Sequence, residues 1–161
     1  CPSPPFHFGV NALPGLASDN RLDLASLILA NVAIDIEPLL AILVFPDMML
    51  HGIGHTFLVG GAAGLAAGAL VFAGRRWVRP LYRRAGLPAR CGIAACLAGG
   101  LAGGLLHVTF DAFIYGEMQP FYPDRGNPLA GVLGYSGATI LGAVGWVMAG
   151  GVYMLCARRN R

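Results

Sequence analysis

Four apolar runs, at about residues 22–45, 54–73, 91–115 and 129–156, decide what this chain can become. Each is long enough to cross the hydrocarbon core of a bilayer as a helix, which takes about 20 residues. Hydrophobic residues make up 56% of the chain and charged residues 12%, about half the charged share of a soluble domain. The expected fold is therefore all-α: an integral membrane helical bundle of about four transmembrane helices, forming one domain over residues 1–161. Residues 1–21 are proline-rich and then amphipathic, with too short an apolar stretch to span. A short N-terminal re-entrant or interfacial helix is expected there, and Ser18-Asp19-Asn20 reads as a turn.

Glycine clusters inside the runs, at Gly60-Gly61, Gly64, Gly68, Gly99-Gly100 and Gly103-Gly104. In water such a pattern weakens helices. In lipid it lets helices approach closely, so it reads as helix packing. The cysteines Cys1, Cys91, Cys96 and Cys156 match no zinc or redox spacing and read as free thiols.

All 11 basic residues are arginine. Most lie in Arg75-Arg76-Trp77-Val78-Arg79-Pro80-Leu81-Tyr82-Arg83-Arg84, at Arg90, and in Arg158-Arg159-Asn160-Arg161. The positive-inside rule places both the Arg-rich loop 74–90 and the C-terminus in the cytoplasm. Two runs separate them, so the two assignments agree. Trp77 and Tyr82 suit an interfacial belt, and no nucleic-acid partner is expected.

This topology brings three distant segments to one membrane level on the outer side. They carry Asp35 and Glu37, His51 and His55, and His107 and Asp111. Asn31/Asp35, His51/His55 and His107/Asp111 are each four residues apart, so on helices each pair shares a face. His7 lies 13 positions before Asn20 and Asp35 lies 15 after it. A helical hairpin reversing at Asp19-Asn20 would set them at about the same height. Pro38 is expected to kink the first run just after its acids.

Ionisable groups in a membrane segment are costly and are functional candidates by default. Asp35 and Glu37 need a partner, a proton or a metal. Imidazole and carboxylate without thiolate suit zinc or another divalent first-row metal. There are more candidates than one tetrahedral ion needs. Either two ions bind, or some residues hold the ligands and act as base. The chemistry that follows is hydrolytic, a metal lowering the pKa of bound water and polarising a carbonyl or phosphoryl group. Glu37 or Asp35 would take the proton. The aromatic, proline-rich residues 115–123 read as a lid or an interfacial loop. Glu117, Asp124 and Arg125 read as solvated, Asp47 as a loop-end or capping residue and Met48-Met49 as apolar filler. Asn127-Pro128 reads as a turn opening the fourth run, which has no ionisable interior residue and reads as scaffold.

The chain resembles the small membrane-bound, metal-dependent hydrolases of bacteria and archaea. The resemblance rests on Pro5-Phe6-His7, Asn31-Val-Ala-Ile-Asp35-Ile-Glu37-Pro38, His51-Gly-Ile-Gly-His55-Thr56, and His107-Val-Thr-Phe-Asp111 followed by Pro120-Phe-Tyr-Pro123. That family is distantly similar to zinc-dependent phospholipase C and P1-type nucleases. The resemblance implies metal-ligand roles for His7, Asp35, His51, His55, His107 and Asp111. Many relatives carry a Pro-Asp-x-Asp segment where this chain has Ile34-Asp35-Ile36-Glu37-Pro38, which leaves the role of Glu37 open.

The leading expectation is a membrane-bound hydrolase with one or two divalent ions, zinc first. It would act on a phosphoester or lipid-linked substrate near the outer face, among membrane lipids, as monomer or oligomer. Two alternatives use the same residues: a cation or proton transporter or channel subunit, and a structural membrane protein whose metal staples helices.

Overall fold

Ser18-Asp19-Asn20 does reverse the chain. Asp19 and Asn20 adopt left-handed φ of 51° and 68°, a conformation that short polar side chains tolerate. The Ser18 hydroxyl accepts from the Leu22 amide at 3.0 Å. Asp23 then caps the next helix, accepting from the Ser26 amide at 2.8 Å and the Ser26 hydroxyl at 2.7 Å. The reversal folds α1 (Pro5–Ala17) back on α2 (Leu24–Ile34). At 13 residues α1 is about 20 Å long, too short to span, yet it packs within the bundle against α2, α6 (Ile93–Ala112) and α7 (Gly134–Arg159).

The remaining elements are α3 (Ile36–Leu43), a 3-10 turn (Ile53–His55), α4 (Phe57–Ala73) and α5 (Arg75–Arg84). This computed structural model describes residues 5–45, 50–88 and 92–159, and no strand occurs among them. Cys1, Pro46-Asp47, Met48-Met49, Arg90, Cys91 and Asn160-Arg161 lie outside the described residues. The fold is an all-helical membrane bundle. Leu24–Leu43, Ile93–Ala112 and Gly134–Arg158 are each long and apolar enough to cross a membrane. α4 meets that test only together with α5, from which it is bent by 82°, so the described residues offer three crossings, or four if that pair is one span.

Three expectations change at the level of elements. The break in the first span falls at Asp35, between α2 and α3, not after the acids. Pro38 has no N–H for the Ile34 carbonyl, and its ring crowds that carbonyl, so the distortion appears upstream of the proline. The Arg-rich loop is a helix over Arg75–Arg84. The last helix opens at Gly134, because residues 113–133 first fold over the end of α6. Asn127 holds them there, donating to the carbonyls of Ala112 and Tyr115, both at 2.7 Å.

The core is organised around α6, which has backbone contact on two sides. A β-carbon on Gly100 would overlap the Gly64 carbonyl oxygen of α4, and one on Gly104 would overlap that of Gly60. On the adjoining face a β-carbon on Gly99 would lie 2.7 Å from the Asp23 nitrogen, and one on Gly103 would lie 2.6 Å from the Leu27 oxygen of α2. The paired glycines thus serve two seams at once, α6 with α4 and α6 with α2. Close approach of this kind is what small residues permit in lipid. These seams fix the C-terminal turn of α6 against the start of α4 and the break between α2 and α3.

Candidate metal centre

His107 and Asp111 project from that last turn of α6, one turn apart, and both are fully buried. His107 Nδ1 lies 3.0 Å from Asn31 Oδ1. The same oxygen accepts from Asn11 Nδ2 at 2.6 Å, and the Asn31 amide nitrogen donates to the Leu27 carbonyl at 2.8 Å. Asn31 Oδ1 is therefore an acceptor on both sides. His107 carries its proton on Nδ1, and Nε2 presents a lone pair.

His51 and His55 do not share a helix face as their spacing suggests. Glycines at 52 and 54 disfavour helix there, and Thr56 caps α4, its hydroxyl accepting from the Val59 amide at 3.2 Å. His51 sits in a turn and His55 ends the 3-10 turn, with ring centroids 5.0 Å apart. His55 Nδ1 lies 2.9 Å from Glu37 Oε2, and Glu37 Oε1 accepts from the Gly54 amide at 3.2 Å. A β-carbon at Gly52 or Gly54 would come within 2.7 or 2.6 Å of those carboxylate oxygens. Both glycines thus make room for Glu37. Glu37, one of the two residues expected as base, has both oxygens engaged and secures His55 through Nδ1. Glu117, read as a solvated residue, does the same for His51, at 3.0 Å from its Nδ1. The signal for Glu117 in the sequence was only its place six residues after Asp111.

With three Nδ1 atoms tied to oxygens, the Nε2 atoms of His55 and His107 point inward. His107 Nε2 lies 3.3 Å from Asp111 Oδ2 and 3.5 Å from Asp35 Oδ1, and His55 Nε2 lies 3.6 Å from Asp111 Oδ2. On the other side His7 Nε2 lies 3.3 Å from Asp111 Oδ1, its ring stacked on His107 at 4.7 Å. None of these contacts is a hydrogen bond. His7 Nε2, His55 Nε2, His107 Nε2 and both Asp111 oxygens are buried without a partner. Polar atoms left without partners in a dry interior are costly unless a cation lies among them.

A divalent cation fits this donor set. Zinc takes nitrogen and oxygen ligands at 2.0–2.1 Å, for which the edges of a tetrahedron are about 3.3–3.4 Å. Two overlapping groups have ligand atoms close enough to hold an ion: Asp35, His55 and His107, and His51, His55 and Asp111. All six residues expected as ligands, from four segments of the chain, meet at this one place. Asn11, which steadies Asn31, was missed, although it stands four residues after His7 in a helical segment. No arginine enters an ion pair with the four nearby carboxylates Asp35, Glu37, Asp111 and Glu117 among the described residues.

A cleft of about 160 Å³ reaches the His51 side, lined by His51, Gly52, Ile53, Thr56, Glu117, Gln119 and Tyr122. Residues 115–123 form its cover. Tyr115 stacks on His51 at 4.2 Å, Met118 is buried beside Ile34 and Val108, and the Pro120 carbonyl accepts from the Phe57 amide at 2.8 Å. Of the lining residues, Ile53 and Tyr122 stay exposed, so the mouth borders apolar surroundings.

The Nδ1 contacts can be tested directly. Glu37→Gln keeps the size of the group that holds His55 but removes its charge. Such partners of metal-bound histidine are worth about 10–100-fold in metal affinity. Zinc affinity, measured by competition with a chromogenic chelator, is expected to fall by that factor. An unchanged affinity would show that Glu37 does not orient a ligand. No protein-family model matches this chain, and neither the curated proteins nor the solved structures contain a significant match.

Proposed function

We propose that this chain is a membrane-bound, metal-dependent hydrolase acting on a phosphoester, including lipid-linked ones. The observation that carries the reading is the convergence of unpartnered Nε2 and carboxylate atoms behind histidines whose Nδ1 atoms are already bonded. His55, His107 and Asp111 would hold the ion, completed by Asp35 or His51, with His7 on the second oxygen of Asp111. A divalent ion there would supply Lewis acidity, making a water acidic enough to attack at neutral pH and polarising the oxygen under attack.

The chain's own residues do the rest. Glu37, Asn31 and Glu117 keep the imidazoles in one tautomer and orientation. Where His51 completes the shell, Asp35, at the break between α2 and α3 and 20% exposed in its side chain, is free to accept a proton from an attacking water. The cleft admits substrate, and the apolar side chains at its mouth suit a ligand delivered from the lipid. Under the positive-inside rule the arginine-bearing end faces the cytoplasm, so the centre lies in the outer half of a prokaryotic cytoplasmic membrane.

The test is hydrolysis of a chromogenic phosphodiester and of phospholipid by purified protein in mixed micelles. Turnover is expected to need zinc or manganese, to stop with a chelator and to return on metal addition. Asp35→Asn is expected to lower kcat by about 100-fold or more, the scale of general base catalysis. Metal-loaded protein that turns over neither substrate would overturn the reading. Ion flux in sealed vesicles would then mark a cation path.

A further inference from the structure

We propose that α5 is a binding surface for anionic phospholipid, with Arg76, Arg79 and Arg83 taking headgroup phosphates at the end of the bundle opposite the metal centre. Arginine supplies five of the ten residues of α5. Such a segment cannot enter hydrocarbon. Its axis turns 82° from α4. With α4 crossing the bilayer, α5 lies nearly in the membrane plane at the headgroups.

The docking of α5 is specific. Val78 and Tyr82, four residues apart, pack against the cluster of Val71 and Cys96. The Tyr82 hydroxyl donates to Asp23 Oδ2 at 2.9 Å and accepts from the Ala25 amide at 2.7 Å. Cys96 lies in the same seam as Gly68. Helical spacing of 100° per residue then sets the other side chains. Trp77 and Leu81 share one flank and are 63% and 59% exposed. Arg76, Arg79 and Arg83 occupy the other flank and are exposed too.

Arg75 is occupied: it donates to the Phe72 carbonyl at 2.8 Å and lies over the Phe72 ring. Arg76 lies over the Trp77 ring at 4.0 Å. Residues 75–88 contain no acid, and among the described residues no arginine of α5 forms an ion pair. The C-terminal part of α7 comes to the same end, where the Tyr153 hydroxyl donates to the Ala85 carbonyl at 3.0 Å and exposed Arg158 follows.

This is a row of exposed guanidinium groups without ion pairs among the described residues, and such groups suit bidentate contact with phosphate. Beside them run an exposed indole and an exposed leucine. A free phosphate would use only the arginines. A phospholipid uses both flanks, its phosphate on the arginines and its chains along Trp77 and Leu81, and that favours lipid as the occupant.

The experiment is native mass spectrometry of the full chain in neutral detergent, titrated with phosphatidylglycerol or phosphatidylcholine of the same acyl chains. At roughly fivefold per basic residue near a headgroup, Arg76→Gln/Arg79→Gln/Arg83→Gln is expected to lose on the order of 100-fold in phosphatidylglycerol affinity. Phosphatidylcholine, whose choline offsets the charge of its phosphate, should lose much less, and metal content at the far end of the bundle reports that the variant is folded. Wild-type preference should also fall steeply between about 50 and about 500 mM salt, a measurement that needs no variant. Equal affinity for the two lipids in the wild type would overturn the proposal. So would an unchanged preference in a folded variant, or displacement of the lipid by inorganic phosphate at a comparable concentration.

Discussion

Elemental analysis of the detergent-purified protein is expected to find about one or two divalent ions per chain, and none in a His55→Ala/His107→Ala variant. Their Nε2 atoms lie 3.3–3.6 Å from the Asp111 and Asp35 oxygens. Removing them leaves the acids without a soft partner and the ion without half of a tetrahedral shell. Metal that binds only the folded state stabilises it by about 4 kcal/mol at 1,000 times Kd. Adding a chelator should therefore lower the melting temperature of wild type and leave that of the variant unchanged.

Asp111→Asn gives a result of opposite sign in the two conditions. With metal present it removes a charged ligand and weakens binding. With metal stripped, its amide can donate to the Nε2 lone pairs of His55 and His107, so the variant should melt above stripped wild type. A wild type that takes up no zinc, manganese or iron after reconstitution would sink the metal centre. Melting of stripped Asp111→Asn at or below stripped wild type would show that the buried atoms do not repel.

The second large effect concerns the glycine seam. Gly100→Leu forces a side chain into the Gly64 carbonyl and the Gly68 amide of α4, which are backbone and cannot rotate away. Overpacking costs about 1–3 kcal/mol where neighbours can adjust. Here the helices themselves must part, so at least the upper end of that range is expected, a drop of roughly 10 °C in melting temperature. Gly151→Leu is the control, because nothing lies within 4 Å of a β-carbon there. Equal melting of the two variants would show that the α4–α6 seam is not the tight contact described. Because that seam sets the height of His107 against His55, Gly100→Leu should also release the metal.

The helices were legible because their signal is length and apolarity, which tertiary context does not change. The level shared by Asp35, His55 and His107 was legible through topology alone, by counting along antiparallel spans. What was not legible lay in segments where backbone geometry depends on distant partners. His51 and His55 have helical spacing, yet Gly52, Gly54 and the Thr56 cap make a turn whose shape is set by Glu37, 17 residues before Gly54. Glu117 is exposed, as expected, but nothing local signals its contact with His51, 66 residues away. The Arg-rich segment read as a loop by its charge, whereas Val78 and Tyr82 give it one buried stripe and Asp23 gives it an anchor.

The hairpin that returns α1 to the centre also bears on the order of biosynthesis. Its histidine is made first, His51 and His55 follow after two more helical elements, and Asp111 comes roughly two-thirds of the way along the chain. A ribosome-bound fragment ending before α6 has imidazoles and an acid but no Asp111 to join them, so it cannot form the shared carboxylate. Once α6 has entered the bilayer every ligand is present, while α7, which contributes none, has yet to seat Gly145 against the backbone of Gly9 and Val10. An ion could thus be captured from a still-open side before α7 closes behind it.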